Sequence, residues 1–192
     1  MANIDAAFGF RPIGKVGSGV NNGGTTLYTI ADNANLTAYK GDHVMASGGY
    51  IVAGTASGAT NVGVFNGCQY TDPTTGEQKY SNYYPASTNA SDIIAFVIDD
   101  PNVVFEIQCN AAFPVADLLG NFDIVYTSSG STVTGISGAE LNVSDGATTA
   151  TLSVKAIDIT EDPDNDDVSS DATNVYVVIQ NHIFGQKSAG LA

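Results

Sequence analysis

Short apolar strings with a two-residue period, separated by glycine and proline turns, constrain the fold of this chain more than any other feature. Between residues 103 and 110, apolar and polar side chains alternate, which predicts a strand with one buried face. The runs 93–98 and 175–179 are uninterrupted and rich in β-branched residues, which is typical of strands buried on both faces. We therefore predict an all-β protein, an antiparallel jelly-roll-like sandwich or barrel with an extended N-terminal arm.

Similar strings recur along the rest of the chain. They predict further strands at 25–30, 43–45, 50–53, 62–65, 122–126, 141–143, 152–154 and 156–159. Turn signals lie between them, such as Asp-Pro at 72–73 and 100–101. Only the stretch 114–120, which begins with proline and ends with glycine, predicts a short helix.

The 192 residues are enough for one domain with its own core. Residues 1–24 carry two aromatic anchors, Phe8 and Phe10, followed by a glycine-rich stretch, and we interpret them as an N-terminal arm. Such an arm becomes ordered by docking either on its own domain, as a first edge strand, or on a neighbouring protein. Residues 25–192 are predicted to form a single β domain.

Two segments of this domain are predicted to be loops, at about 66–91 and about 160–172. The first contains four tyrosines, which either face a partner or cap the β domain. The second has carboxylates at alternate positions, as calcium-binding loops do. However, Asp167 and Thr173 occupy the positions where an EF-hand needs its glycine and its last glutamate, and a solvated acidic loop is the alternative.

The charge balance limits the classes of partner. Twenty acidic residues face six basic ones, a formal net charge of −14. Such a surface repels phosphate backbones and anionic lipid, so we expect no nucleic acid and no membrane as a partner. Residues 1–5 lack the basic start of a secretion signal, and no apolar run approaches the roughly 18 residues of a membrane span. We expect the protein to fold in the cytoplasm where it is made.

The sequence contains no recognisable catalytic or cofactor motif. His43 and His182 are the only histidines, and no local motif places either beside a nucleophile. Cys68 and Cys109 lack metal-binding or redox spacing, so two buried free thiols are expected. We therefore predict that the protein is not an enzyme and holds neither a cofactor nor a metal ion.

Several short strings, in this order along the chain, carry a family resemblance. The N-terminal string Met-Ala-Asn-Ile-Asp-Ala-Ala-Phe-Gly-Phe-Arg-Pro resembles the opening of a family of virion structural proteins of tailed bacteriophages, common among marine and cyanobacterial phages. Further similar pieces are 41–44, 62–67 with Tyr70, 99–101 followed by 105–108, and 177–184. The resemblance spans nearly the whole chain.

The resemblance implies a capsid decoration, or cement, protein. Such a protein binds the outer surface of the major capsid shell as a homotrimer and stabilises the mature head. It would lie on the capsid exterior of the virion, after synthesis in the host cytoplasm. An acidic β domain suits that outer face, and an aromatic arm suits a clamp across capsomer boundaries.

The composition of the arm suggests its contact residues. We expect Phe8, Phe10, Arg11 and Pro12 to contact the shell, with the two phenylalanines in apolar pockets and Arg11 paired with a carboxylate. Whether the arm or the 66–91 loop makes the main contact stays open at this point. The alternatives are another virion component, such as a tail, fibre or vertex protein, or a calcium-dependent carbohydrate-binding β domain.

Overall fold

The computed structural model describes residues 2–17, 19–20, 23–54, 61–126 and 129–185. Within them the chain forms strands and one single-turn 3-10 helix, Val115–Asp117. The strands are β1 Arg11–Lys15, β2 Thr26–Thr29, β3 Ala38–Tyr39, β4 His43–Ser47, β5 Tyr50–Ala53, β6 Asn61–Thr71, β7 Gln78–Ser81, β8 Tyr83–Tyr84, β9 Ile94–Ile98, β10 Val103–Gln108, β11 Asn121–Tyr126, β12 Ala139–Ala147, β13 Val154–Ile159 and β14 Asn174–Ile179. The predicted all-β class is confirmed. No helix in the described residues is long and apolar enough to cross a bilayer.

The first sheet has six strands in the order β1-β10-β14-β13-β11-β12, and its paired strands are antiparallel. An isolated parallel bridge between Cys109 and Leu141 joins the end of β10 to β12. The sheet therefore curls back on itself and leaves β1 as the outer strand.

The second sheet has the order β2-β9-β6-β4-β5, and β7 pairs with β6 beyond the span that pairs with β4. Its pairings are antiparallel too, and its two outer strands, β2 and β5, come within 8 Å of each other at several Cα positions. A two-stranded sheet, β3-β8, covers part of it.

Each sheet encloses an apolar cluster, and the two sheets share one contact zone. Val64 of β6 and Ile98 of β9 belong to the second sheet but pack in the core of the first, beside Phe10 and Phe105. The remaining apolar side chains of the second sheet form a separate core around Phe65 and Tyr84. The antiparallel sandwich predicted from the sequence is confirmed, with Val64 and Ile98 at the junction of its two sheets; jelly-roll connectivity stays a prediction.

The segment 66–91 is not the long loop that we predicted. β6 continues to Thr71, and β7 and β8 follow within the same segment. The pairing of β6 with β9 shifts register between Phe65 and Cys68, where Gly67 has φ +122°. This bulge breaks the two-residue period, so the strand pattern is lost from the sequence although the strand continues.

Candidate partner-binding site

The N-terminal segment, residues 3–10, lies along its own domain. The side-chain amide of Gln108 accepts the N–H of Ala6 at 2.9 Å and donates to the carbonyl of Ile4 at 2.9 Å. Asn165 donates to the same carbonyl at 2.9 Å. Gln108 and Asn165 are buried, so water does not compete freely for these bonds. Of the two possibilities for the predicted arm, the structure shows docking on its own domain.

This docking also changes the environment of β10, which we predicted to be buried on one face only. All six residues of the strand are buried. The side chain of Gln108 lies under the N-terminal segment, and Glu106 is covered by Arg11 of β1. The polar face is buried because residues about one hundred positions earlier in the chain cover it.

Phe10 anchors the N-terminal segment in the core. Its side chain is 3% exposed and makes edge contacts with Phe105 and His43, at ring-centroid distances of 5.6 and 6.3 Å. Gly9, just before it, has φ +69°, and a Cβ there would lie 2.6 Å from the carbonyl oxygen of Gly41. Only glycine allows so close an approach. Phe10 thus fills a pocket of its own domain, whereas we predicted a pocket of the partner.

Arg11 contacts both the ring of Phe8 and a carboxylate of its own domain. Its Nη1 lies 3.1 Å from Oε2 of Glu106, and its guanidinium carbon lies 4.0 Å from the centroid of the Phe8 ring. The side chain is 56% exposed, so the ion pair contributes only about 0 to 1 kcal/mol. Phe8 is half-buried and Pro12 lies in β1 opposite Phe105. Arg11 therefore already holds a carboxylate within its own chain.

The four predicted residues meet at one cavity. Phe8, Phe10, Arg11 and Pro12 line an opening of about 230 Å³ beside the contact zone between the sheets. The remaining lining residues come from five other segments of the chain, and they are Lys40, Gly41, Val64, Phe65, Asn66, Asn82, Ile98 and Ile136. The sequence placed the first four residues together because they lie within five positions of the chain; the other eight carry no local signal.

Two of the few basic residues of the chain lie at this cavity. The six basic residues are Arg11, Lys15, Lys40, Lys79, Lys155 and Lys187. Ion pairs join Arg11 to Glu106, Lys15 to Asp100 and Lys79 to Asp72. Lys40 lines the cavity and is exposed, and within the described part of the chain no carboxylate lies within 4.0 Å of its ammonium group. Two of the six basic side chains, Arg11 and Lys40, thus border one cavity of a strongly acidic protein.

A buried polar network supports the loop that carries Gly41. The Asp42 carboxylate accepts the N–H of Tyr39 at 2.7 Å and the hydroxyl of Ser137. Burial raises the pKa of Asp42 to about 6, although both hydrogen bonds act in the opposite direction. The carboxylate therefore gains a proton as the pH falls through about 6.

The tyrosines of the 66–91 segment do not form one surface. Tyr70 and Tyr84 are buried in the core of the second sheet, and Tyr83 stacks on Tyr39 with ring centroids 5.8 Å apart. Tyr80 alone among the four is largely exposed, at 70%. Most of this cluster therefore serves packing, which was one of the two predicted alternatives.

The acidic loop at 160–172 is organised by the N-terminal segment. The side-chain amide of Asn3 donates to the carbonyls of Asp167 and Asp171 at 3.0 Å each, and its oxygen accepts the N–H of Asp167 at 3.2 Å. Asp167 in turn accepts bonds from Ser169, which lower its pKa. Within the described residues no three His, Cys, Asp or Glu side chains converge as metal ligands would.

Histidines and cysteines occupy interior positions. His43 is 1% exposed and its Nδ1 lies 3.0 Å from the Tyr126 hydroxyl, while His182 Nδ1 accepts the N–H of Phe184 at 3.0 Å. Cys68 and Cys109 are free and buried, as predicted, and burial raises the pKa of both thiols. Neither thiol is therefore an activated nucleophile at neutral pH.

No protein-family model, curated protein or solved structure matches this chain. The functional interpretation accordingly depends on the geometry of the cavity, the charge of the surface and the resemblance of the N-terminal string.

Proposed function

We propose that this protein is a capsid decoration (cement) protein of a tailed bacteriophage, which binds the outer surface of the major capsid shell and stabilises the mature head. The observation that carries the proposal is the meeting of Phe8, Phe10, Arg11 and Pro12 at one cavity. These residues belong to the N-terminal string that resembles the phage family. The same string therefore supplies both the resemblance and the candidate contact surface.

The shell contact uses the parts of this string that the domain leaves accessible. Phe8 is half-buried, Arg11 is exposed and Pro12 is half-buried, so their outer surfaces face solvent. Phe10 has a different role, because its burial fixes the position of the residues on either side. A contact surface held in place before binding loses less conformational entropy when the partner docks.

Stabilisation of the head follows from mass action. A ligand that binds only the mature lattice stabilises it by about 2.7 kcal/mol per site at a concentration one hundred times its Kd. If three copies act together as a trimer, each contact can be weak while the assembly binds strongly. The acidic surface, with a formal charge of −14, has no attraction for DNA or anionic lipid that would compete with the shell.

The copy number of this chain in purified virions tests the proposal. Quantitative mass spectrometry against the major capsid protein is expected to give a near-stoichiometric ratio. A ratio of a few per cent would assign the chain to the tail or a vertex, and absence from the virion would refute a structural role.

The heat resistance of virus particles is a second test of the proposed function. Particles without this chain should release DNA at a lower temperature, and added wild-type protein should restore the difference. A Phe8→Ala variant should restore it less well than a Phe184→Ala variant, which removes an aromatic ring that is 63% exposed and does not line the cavity. Equal rescue by both variants would remove the N-terminal string from the contact.

A further inference from the structure

The cavity is lined by residues of both sheets, and most of its lining surface is apolar. Val64 and Ile98, the residues of the second sheet that pack in the core of the first, are among its lining residues. Phe8 lies on one side, and Ile136, which is 41% exposed, also lines it. A closed cavity of roughly 150 Å³ is large enough for a benzene ring. The volume of about 230 Å³ here therefore accommodates one large apolar side chain.

The rim of the cavity carries a cation, Lys40, whose ammonium group has no carboxylate within 4.0 Å among the residues that the structure describes. Lys40 is exposed, whereas the guanidinium of Arg11 is shared between Glu106 and the Phe8 ring. The backbone of Lys40 is fixed, since its N–H donates to the carbonyls of Asn82 and Gly135 at 2.8 and 2.9 Å. An ammonium group beside an apolar cavity favours a ligand that has a carboxylate next to an apolar group.

Strand addition is a poor alternative for this edge of the protein. β1 is the outer strand of the first sheet, but Pro12 lacks an N–H and the register shifts between Pro12 and Gly14. These features interrupt the row of donors and acceptors that an added strand needs. A side chain inserted into the cavity does not need that row.

We propose that the cavity binds a short acidic and apolar peptide segment, with one large apolar side chain in the cavity and a neighbouring carboxylate on the ammonium group of Lys40. The inference rests on the proposed function in one respect: it takes the segment to belong to the capsid shell protein. Lys40, and not Arg11, is then the residue that recognises the carboxylate. The remaining acidic surface rejects segments that carry negative charge without the apolar anchor.

Three short peptides test the proposal without any shell protein. The probes are acetyl-Asp-Phe-Asp-amide, acetyl-Asn-Phe-Asn-amide and acetyl-Lys-Phe-Lys-amide, titrated against the full chain with methyl-labelled isoleucines and followed by NMR. The acidic peptide is expected to shift the methyl signals of Ile98 and Ile136 and to bind about two- to fivefold more tightly than the neutral one, as one exposed ion pair allows. The basic peptide should bind most weakly.

Variants at two lysines isolate the carboxylate contact. Lys40→Gln should abolish the preference for the acidic peptide and leave the affinity for the neutral one unchanged. Lys79→Gln removes a lysine that does not line the cavity and should keep the preference. Equal binding of acidic and neutral peptides to the wild-type chain, or no shift at Ile98 and Ile136, would overturn the proposal.

Two further outcomes separate this inference from the proposed function. If Lys40→Gln loses the peptide preference but decorates particles at full occupancy, the chain is a decoration protein and the cavity is not its shell contact. If the peptide preference holds but the chain is absent from virions, the cavity recognises an acidic segment of another protein. A third outcome would overturn the proposal. If the signals of Ile98 and Ile136 broaden as the protein concentration rises, and the acidic peptide reverses this broadening, the cavity binds a second copy of this chain.

Discussion

Replacement of Phe10 by alanine is expected to lower the free energy of unfolding by about 3 to 5 kcal/mol. The side chain is 3% exposed, and its ring makes edge contacts with Phe105 and His43. The substitution removes the buried ring and enlarges the existing cavity of about 230 Å³, because Phe10 forms part of its wall. Native domains are stable by only about 5 to 15 kcal/mol, so the loss is a large fraction of the total.

Urea unfolding at pH 7, followed by tyrosine fluorescence and circular dichroism, measures this loss. With an m value of about 2 kcal/mol/M, the midpoint should fall by about 2 M while m stays constant. Phe8→Ala is the matched control, because it also removes a phenyl ring, but one that is only half-buried. This variant should lower the free energy of unfolding by less than about 1 kcal/mol. A loss of less than 1 kcal/mol for Phe10→Ala would show that the N-terminal segment does not dock in the core.

Three other predictions test the support of the site. Gly9→Ala should cost more than Gly17→Ala in the same urea assay, because both have positive φ but only at Gly9 would a Cβ lie 2.6 Å from neighbouring atoms. The pKa of Asp42 is about 6 in the folded protein, against an ordinary value of 3.8, so protonation of this carboxylate stabilises the fold. The gain in the free energy of unfolding is about 3 kcal/mol; it is complete below about pH 3.8 and is lost as the pH rises through 6. Asp42→Asn should remove that part of the pH dependence, and an unchanged difference between pH 4 and pH 7 would contradict the assignment. Cys68 and Cys109 should react with a thiol reagent only after urea unfolds the chain, and labelling of either thiol in the native protein within minutes would contradict their burial.

The strands that keep a regular period could be predicted closely, and those with a bulge could not. The run 175–179 forms β14 as its uninterrupted apolar pattern indicates, but it is not fully buried on both faces, because Tyr176 and Val178 are only partly buried. The continuation of β6 beyond Phe65 was missed. A bulge at Gly67 adds one residue to β6 relative to β9, so the alternation of apolar and polar side chains changes phase there. The predicted helix at 114–120 is reduced to one 3-10 turn, Val115–Asp117, because Leu118 already leaves the helical region with ψ 140° and Leu119 follows with a positive φ of 67°.

The candidate site was predicted in part. The consecutive residues from Phe8 to Pro12 were identified by their composition, but the environment of Phe10 was not, since its partners Phe105 and His43 lie far along the chain. Lys40 was missed altogether. An isolated lysine in a sequence gives no sign that it lies beside an apolar cavity, or that no carboxylate of the described residues pairs with it.

The sequence by itself determined the all-β class and the acidic surface, because alternation of side chains along a strand and net charge are local or additive properties. Only the tertiary structure decided that the N-terminal segment docks on its own domain and that a cavity opens beside it. Those features depend on contacts such as Arg11 with Glu106, 95 positions apart, and Asn3 with Asp167, 164 positions apart. Pairing over such separations depends on how the whole chain packs, and no local pattern of residues specifies it.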